Sequence, residues 1–162
     1  MALGLTAESK RHNVAGSLDV YISAKLVTIE GLNVAFQGDE FDESGTNEWL
    51  DVSYLWGGRD YHRQVGSSNF GNTVEVLISL TCNVKEQGRT NIHRPLQLAD
   101  LVHKYFPTPQ EITINDYVPD PAVAVGTLDV YDIQDFPLGL ADGIYRHNLT
   151  IYARYLESYT VS

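Results

Sequence analysis

The run Thr73-Val-Glu-Val-Leu-Ile-Ser-Leu-Thr-Cys-Asn-Val-Lys85 alternates apolar and polar positions almost without a break. Val74, Val76, Ile78, Leu80, Cys82 and Val84 share one side. Thr73, Glu75, Ser79, Thr81, Asn83 and Lys85 share the other, where only Leu77 breaks the pattern. Successive strand side chains point to opposite faces, so the pattern predicts a long strand buried on one face. It is about twice the usual five to six residues. A second such run covers Ile144–Leu156, with Tyr145, His147, Leu149, Ile151, Ala153 and Tyr155 together. Strands this long in a small protein suggest a sheet that extends past one core, toward neighbours.

Helical spacing occurs twice. Val14, Leu18, Tyr21, Ile22, Lys25, Leu26 and Ile29 recur at intervals of three and four, and Gly31 is placed to stop that helix. Ser17 is a candidate cap; the β-branched Val20, Val27, Thr28 and Ile29 weigh against the helix. Pro95 suits the first turn of a second helix, because the amide it lacks would be unpaired there. Leu98, Leu101, Val102, Tyr105 and Phe106 follow, and Pro107 and Pro109 end it.

Shorter strands are predicted at Asn33–Phe36, Glu111–Ile114 and Leu50–Trp56, the last ended by Gly57-Gly58. Residues 122–131 read as extended and 132–143 as a loop. The order α-β-β-β-α-β-β-β predicts an α+β fold: a mainly antiparallel or mixed sheet with two helices on one face. Residues 1–13 are weakly patterned and read as a flexible arm, leaving 14–162 as a single domain.

Composition adds bounds. The 162 residues and 43% hydrophobic content suit one domain with an ordinary core. The formal charge of -10 disfavours wrapping nucleic acid or binding an anionic membrane, and otherwise signals solubility. The single cysteine, Cys82, sits on the apolar side of the long strand and reads as a small hydrophobe in a reducing compartment. No stretch approaches the about 20 apolar residues of a membrane span. The N-terminus lacks the basic and apolar regions of a secretory signal, so the product is expected in the cytoplasm when made.

Candidate chemistry is sparse. Asp39, Glu40, Asp42 and Glu43 form an acidic turn facing a lumen, a partner or solvent; they lack the Asp-x-Asp-x-Asp-Gly spacing of a cation loop, and a solvated turn fits them best. Asp129, Asp132 and Asp135 recur at threes on a segment read as irregular, which fixes no common face. Residues 57–72 read as a long hairpin tip. Its Arg59, Tyr61, His62, Arg63 and Phe70 are either an interface arm, since Arg and Tyr favour interfaces, or a plain tip.

His12, His62, His93, His103 and His147 are scattered, without the spacing that puts two ligands on one helix face. Tyr145, Tyr152, Tyr155 and Tyr159 read as cover for a sheet face. No nucleophile elbow, phosphate loop or dinucleotide fingerprint occurs. No catalytic residue, cofactor or metal is assigned. An enzyme with an acidic site at Asp39–Glu43 and His62 is the remote alternative.

The layout resembles the tail terminator, or tail completion, proteins of long-tailed bacteriophages, the family of the lambda minor tail protein U. The likeness runs through helix and strand Leu18–Phe36, the acidic loop and Trp-bearing strand Glu40–Trp56, and the Gly-rich loop and long strand Gly57–Val84. It continues through the helix Leu96–Phe106, Ile112–Ile114 and the C-terminal strand. The resemblance implies no enzyme but a structural virion protein of the tail and neck, assembled in the host cytoplasm.

Such proteins form a homo-hexameric ring on the head-proximal end of the tail tube. The ring contacts the tail-tube protein, stops tube growth and presents a surface to a head-completion or neck protein. DNA passes through the lumen without specific binding. Six copies would carry about -60, from six times -10. A neck or head-closure adaptor, or a tail-tube subunit, is the alternative.

Overall fold

The computed structural model describes residues 3–61, 69–86 and 93–161. Among them, β1 (Leu3–Leu5) leads through a 3₁₀ turn, Ala7–Ser9, into α1 (Arg11–Ile22). Then come β2 (Val34–Ala35), β3 (Glu48–Tyr61), β4 (Asn69–Lys85), α2 (Arg94–Tyr105), β5 (Gln110–Asp116), β6 (Val123–Ala141) and β7 (Ile144–Val161). The strands form one sheet in the order β2-β3-β4-β7-β6-β5, and β1 adds to β7. The β2–β3 pair is parallel and the other pairs are antiparallel. The fold is α+β, as the pattern predicts.

Burial follows the period-two pattern. Val74, Val76, Ile78, Leu80, Cys82 and Val84 are buried, while their alternates Thr73, Glu75, Ser79 and Thr81 are half-buried. Leu149, Ile151, Ala153 and Tyr155 of β7 extend the apolar surface sideways. Val14, Leu18, Ile22 and Leu26 from the first helix, and Leu98, Ala99, Val102 and Phe106 from the second, close over it in a single core. Both helices therefore lie on the same face of the sheet.

Beyond Ile22 the first helix continues in π form over Ser23–Ile29. Its hydrogen bonds span wider turns, as in Glu30 N–H to the Lys25 carbonyl at 3.3 Å. The wider turn rotates Ile29 off the expected stripe and leaves it 60% exposed. Gly31, at φ +69°, ends the helix as expected, with its N–H on the Val27 carbonyl. Ser17 is no cap. It is buried within α1, donating to the Asn13 carbonyl at 2.6 Å and accepting from Asn115 N–H at 2.8 Å. It ties α1 to β5.

Three expectations need correction. The segment 1–13 does not stand apart: its described residues are built into the domain. Leu3–Leu5 pair with Tyr159–Val161, Ser158 N–H donates to Ser9 Oγ at 2.6 Å, and Asn13 Nδ2 donates to the Ala7 carbonyl at 2.9 Å. Short polar side chains here satisfy backbone groups of β7, which no apolar periodicity reports.

Gly57-Gly58 does not end the third strand. The strand shifts register between Trp56 and Arg59 and continues to Tyr61. Glycines inside a strand often mark such a bulge.

Residues 132–143 are not a loop. β6 runs unbroken to Ala141 and meets β7 through Asp142-Gly143, with φ +53° and +73°. Positive φ at both central residues is the two-residue turn whose twist suits a hairpin.

Gly126 lies where Glu8 crosses β6; a Cβ there would come within 2.7 Å of the Glu8 Cβ. Gly126→Ala is expected to destabilise by about 1–3 kcal/mol, read as a lower urea midpoint. Arg94 grips Glu48 with two parallel bonds of 2.8 Å, Nε to Oε2 and Nη2 to Oε1, fastening α2 to β3. This guanidinium holds the Glu48 carboxyl below its ordinary range. The resulting stability is present above the ordinary carboxylate value and fades as pH falls through the lowered one. Urea titrations from pH 7 to pH 3 should show wild type losing an advantage of about 0.5–1 kcal/mol over Glu48→Gln.

Candidate interaction surfaces

With the helices on one side, the other face of β3, β4, β7 and β6 has no helix over it among the described residues, and only its end at Trp49 and Asn83 is buried. Its polar groups bond to one another. Asn148 Nδ2 donates to Ser79 Oγ at 2.8 Å and to Thr81 Oγ1 at 3.0 Å, and Thr150 Oγ1 donates to Asn148 Oδ1 at 2.9 Å. Further along, Tyr131 O–H donates to Glu75, and Arg154 lies 5.0 Å from the centre of the Tyr131 ring. Burial, then the Glu75 contact, push the Tyr131 hydroxyl up to about 12. Polar groups on the open face can be satisfied by water, and those bonded to one another hold their side chains in fixed positions.

The acidic turn lies beside one end of this face. Asp39, Glu40, Asp42 and Glu43 are exposed, and Asp42 Oδ1 accepts from Ser44 N–H at 2.9 Å and Ser44 Oγ at 2.5 Å. The Ser44 hydroxyl, more than its amide, holds the Asp42 carboxyl below its usual range. The same segment carries Phe41, whose ring lies 6.1 Å from that of the buried Trp49. Of the other candidates, Arg59 and Tyr61 fall in β3 and Phe70 in β4; His62 and Arg63 lie outside the described residues. The expected tip therefore shrinks, because strand pairing consumes both its ends.

Tertiary structure also gathers groups that spacing kept apart. His103 Nε2 is 2.8 Å from Asp135 Oδ1, and the buried His147 Nε2 is 3.4 Å from Asp135 Oδ2. Three residues from α2, β6 and β7 meet there. Cys82 is buried, as its strand position suggested, and burial pushes its thiol up to about 12, with Asp135 adding to the shift. Among the described residues no set of three or more His, Cys, Asp and Glu is arranged to hold a metal ion. Nor is any described helix long and apolar enough to cross a membrane. The C-terminal tyrosines divide between faces: Tyr155 is buried against Trp56, and Tyr152 lies on the open face beside Tyr131.

Two apolar features flank the sheet. Along the far half of β6, Phe136, Leu138 and Leu140 are about half exposed, at 44%, 56% and 49%. Leu140, with Leu96 of α2 and Tyr145, borders a hollow of about 270 Å³ that also touches Arg146 and His147. On the opposite margin a groove of about 500 Å³ runs between the first helix and Phe36, with Val20 and Ala24 as its floor and Asp19 and Asp39 at its rim. The Tyr54 hydroxyl donates to Asp19 at 2.5 Å, yet burial, with repulsion from Asp39, raises the Asp19 carboxyl above its ordinary range.

No family model and no curated protein matches this chain. Ten solved chains match it. One of them, whose name describes no function, aligns over 94% of this chain and 96% of its own at 14% identity, with a TM-score of 0.54. At that identity the likeness concerns the fold alone.

The bonded ladder on the open face is part of what lets it stay uncovered. Asn148→Ala, which removes two donated bonds and one accepted bond on a half-buried surface, should cost about 1 kcal/mol. Urea unfolding measures it.

Proposed function

We propose that this chain is a subunit of a phage tail terminator ring, which caps the head-proximal end of the tail tube, stops its growth and offers the face to which a filled head joins. The observation that carries the reading is the uncovered face of long strands whose Asn148, Ser79, Thr81 and Thr150 bond among themselves. Where its amide and hydroxyls are spent on one another, this stretch of the wall offers phosphates little to grip, which suits a passage through which DNA slides. The formal charge of -10 adds repulsion at longer range.

Exposed apolar groups on two separate margins suit a head-to-tail contact, which closes into a ring when its rotation allows. The layout of elements along the whole chain supports the same reading. The partners are then further copies of this chain, the tail-tube protein and a head-completion protein, and the location is the tail and neck of the virion.

Negative-stain images of tails assembled with and without the protein test this. Without it, tubes should grow overlong and remain headless; with it, a ring should sit on the end of each tube. Tails of normal length that merely fail to join heads would shift the assignment to a neck adaptor. Long tubes built from the pure protein would make it a tube subunit.

A further inference from the structure

We propose that the end of the β6–β7 hairpin of one copy docks into the groove between the first helix and Phe36 of the next. The inference rests on the ring reading and names its contact. The hairpin end offers Leu138 and Leu140, half exposed on either side of Gly139, and the cation Arg146. Arg146 donates to the Ala141 carbonyl at 3.5 Å and, among the described residues, forms no ion pair. The groove offers the complement: the apolar floor of Val20, 54% exposed, and Ala24, with Asp19 and the exposed Asp39 at its rim. Two carboxylates that repel one another gain from a guanidinium brought between them, and the leucines cover the floor.

Position supports the pairing. β2 ends the strand order on one side, and the groove lies beside it. On the other side β5 pairs with β6 only as far as Val130, so the stretch beyond it forms the opposite margin. The two features are kept apart in one molecule and meet only between copies. Simple strand addition along β6 is discouraged. Pro137 has no N–H to give, register shifts at Val130/Asp132 and Pro137/Gly139 distort the edge, and Asp132 and Asp135 charge it. The contact is therefore made by side chains. The tight Asp142-Gly143 turn holds the hairpin end in shape before docking, which lowers the ordering cost.

Sedimentation velocity of the full chain over a concentration series tests the contact, with circular dichroism confirming that each variant folds. Arg146→Glu and Asp39→Arg should each weaken self-association about ten-fold or more, the equivalent of about 1.4 kcal/mol. The double variant Arg146→Glu/Asp39→Arg should recover most of the loss, because the charges are exchanged rather than removed. The uncharged Leu138→Ser should weaken association with no rescue from Asp39→Arg. Rings that persist unchanged in the single variants, or a double variant no better than either single, would overturn this contact and leave the ring reading standing. A wild-type chain that stays monomeric at every concentration and binds no tube end would overturn both.

Discussion

Burial of one face of the β4–β7 ladder is the constraint on which the rest of the molecule depends. The two strands pair in unbroken register from Asn69 opposite Thr160 to Lys85 opposite Ile144. From Val74 to Val84 and from Leu149 to Tyr155, every second residue of that ladder is apolar and is removed from water. Two helices suffice for this, one crossing from β5 toward β2 and one lying over β4 and β7. With both helices spent on the same face, no described helix is left for the other, and only its end at Trp49 and Asn83 is buried, beneath the segment that carries Phe41. That face is accordingly mostly polar, and part of it bonds within itself, as Asn148 does with Ser79 and Thr81.

The N-terminal segment follows from the same constraint. Beyond Tyr155 the ladder carries Glu157 and Ser158, both buried and both polar. Buried polar groups need partners, and a buried carboxylate above all. Arg11 approaches Glu157 at 3.3 Å, and Thr6 and Ser9 meet Ser158. The segment read as an arm is thus the complement that lets the end of β7 be buried. The edge of β6 shows the reverse: its proline, bulges and aspartates keep a long strand from recruiting others by backbone pairing. Such a safeguard matters for any long open edge, since indiscriminate pairing gives filaments and aggregates.

Much of the architecture was legible in the sequence, for reasons that particular residues make plain. Val74 to Val84 announce their strand because one side is buried and the other is not. Pro95 and Pro107 bracket α2 through the amide that proline lacks. The far half of β6 was missed although nothing in it forbids a strand: on an edge strand Pro137 needs no ladder partner, and Gly139 can accommodate a bulge. The Asp142-Gly143 pair was the available signal for that hairpin. The acidic turn was found where expected, while the meeting of His103, Asp135 and His147 was invisible, since nothing in their spacing brings three elements to one point.

The sequence by itself determined which residues leave water, because alternation and helical spacing are local properties that any reader of the chain can count. It thereby set the α+β class, the one-sided core and the helix ends at Pro95 and Gly31. Only the tertiary structure decided which polar residues meet, which strand margins stay open, and that a hairpin end and an acidic groove lie on opposite sides of the sheet. Those facts depend on strand order, on register shifts and on the packing of segments far apart along the chain. No periodicity within a single segment encodes them.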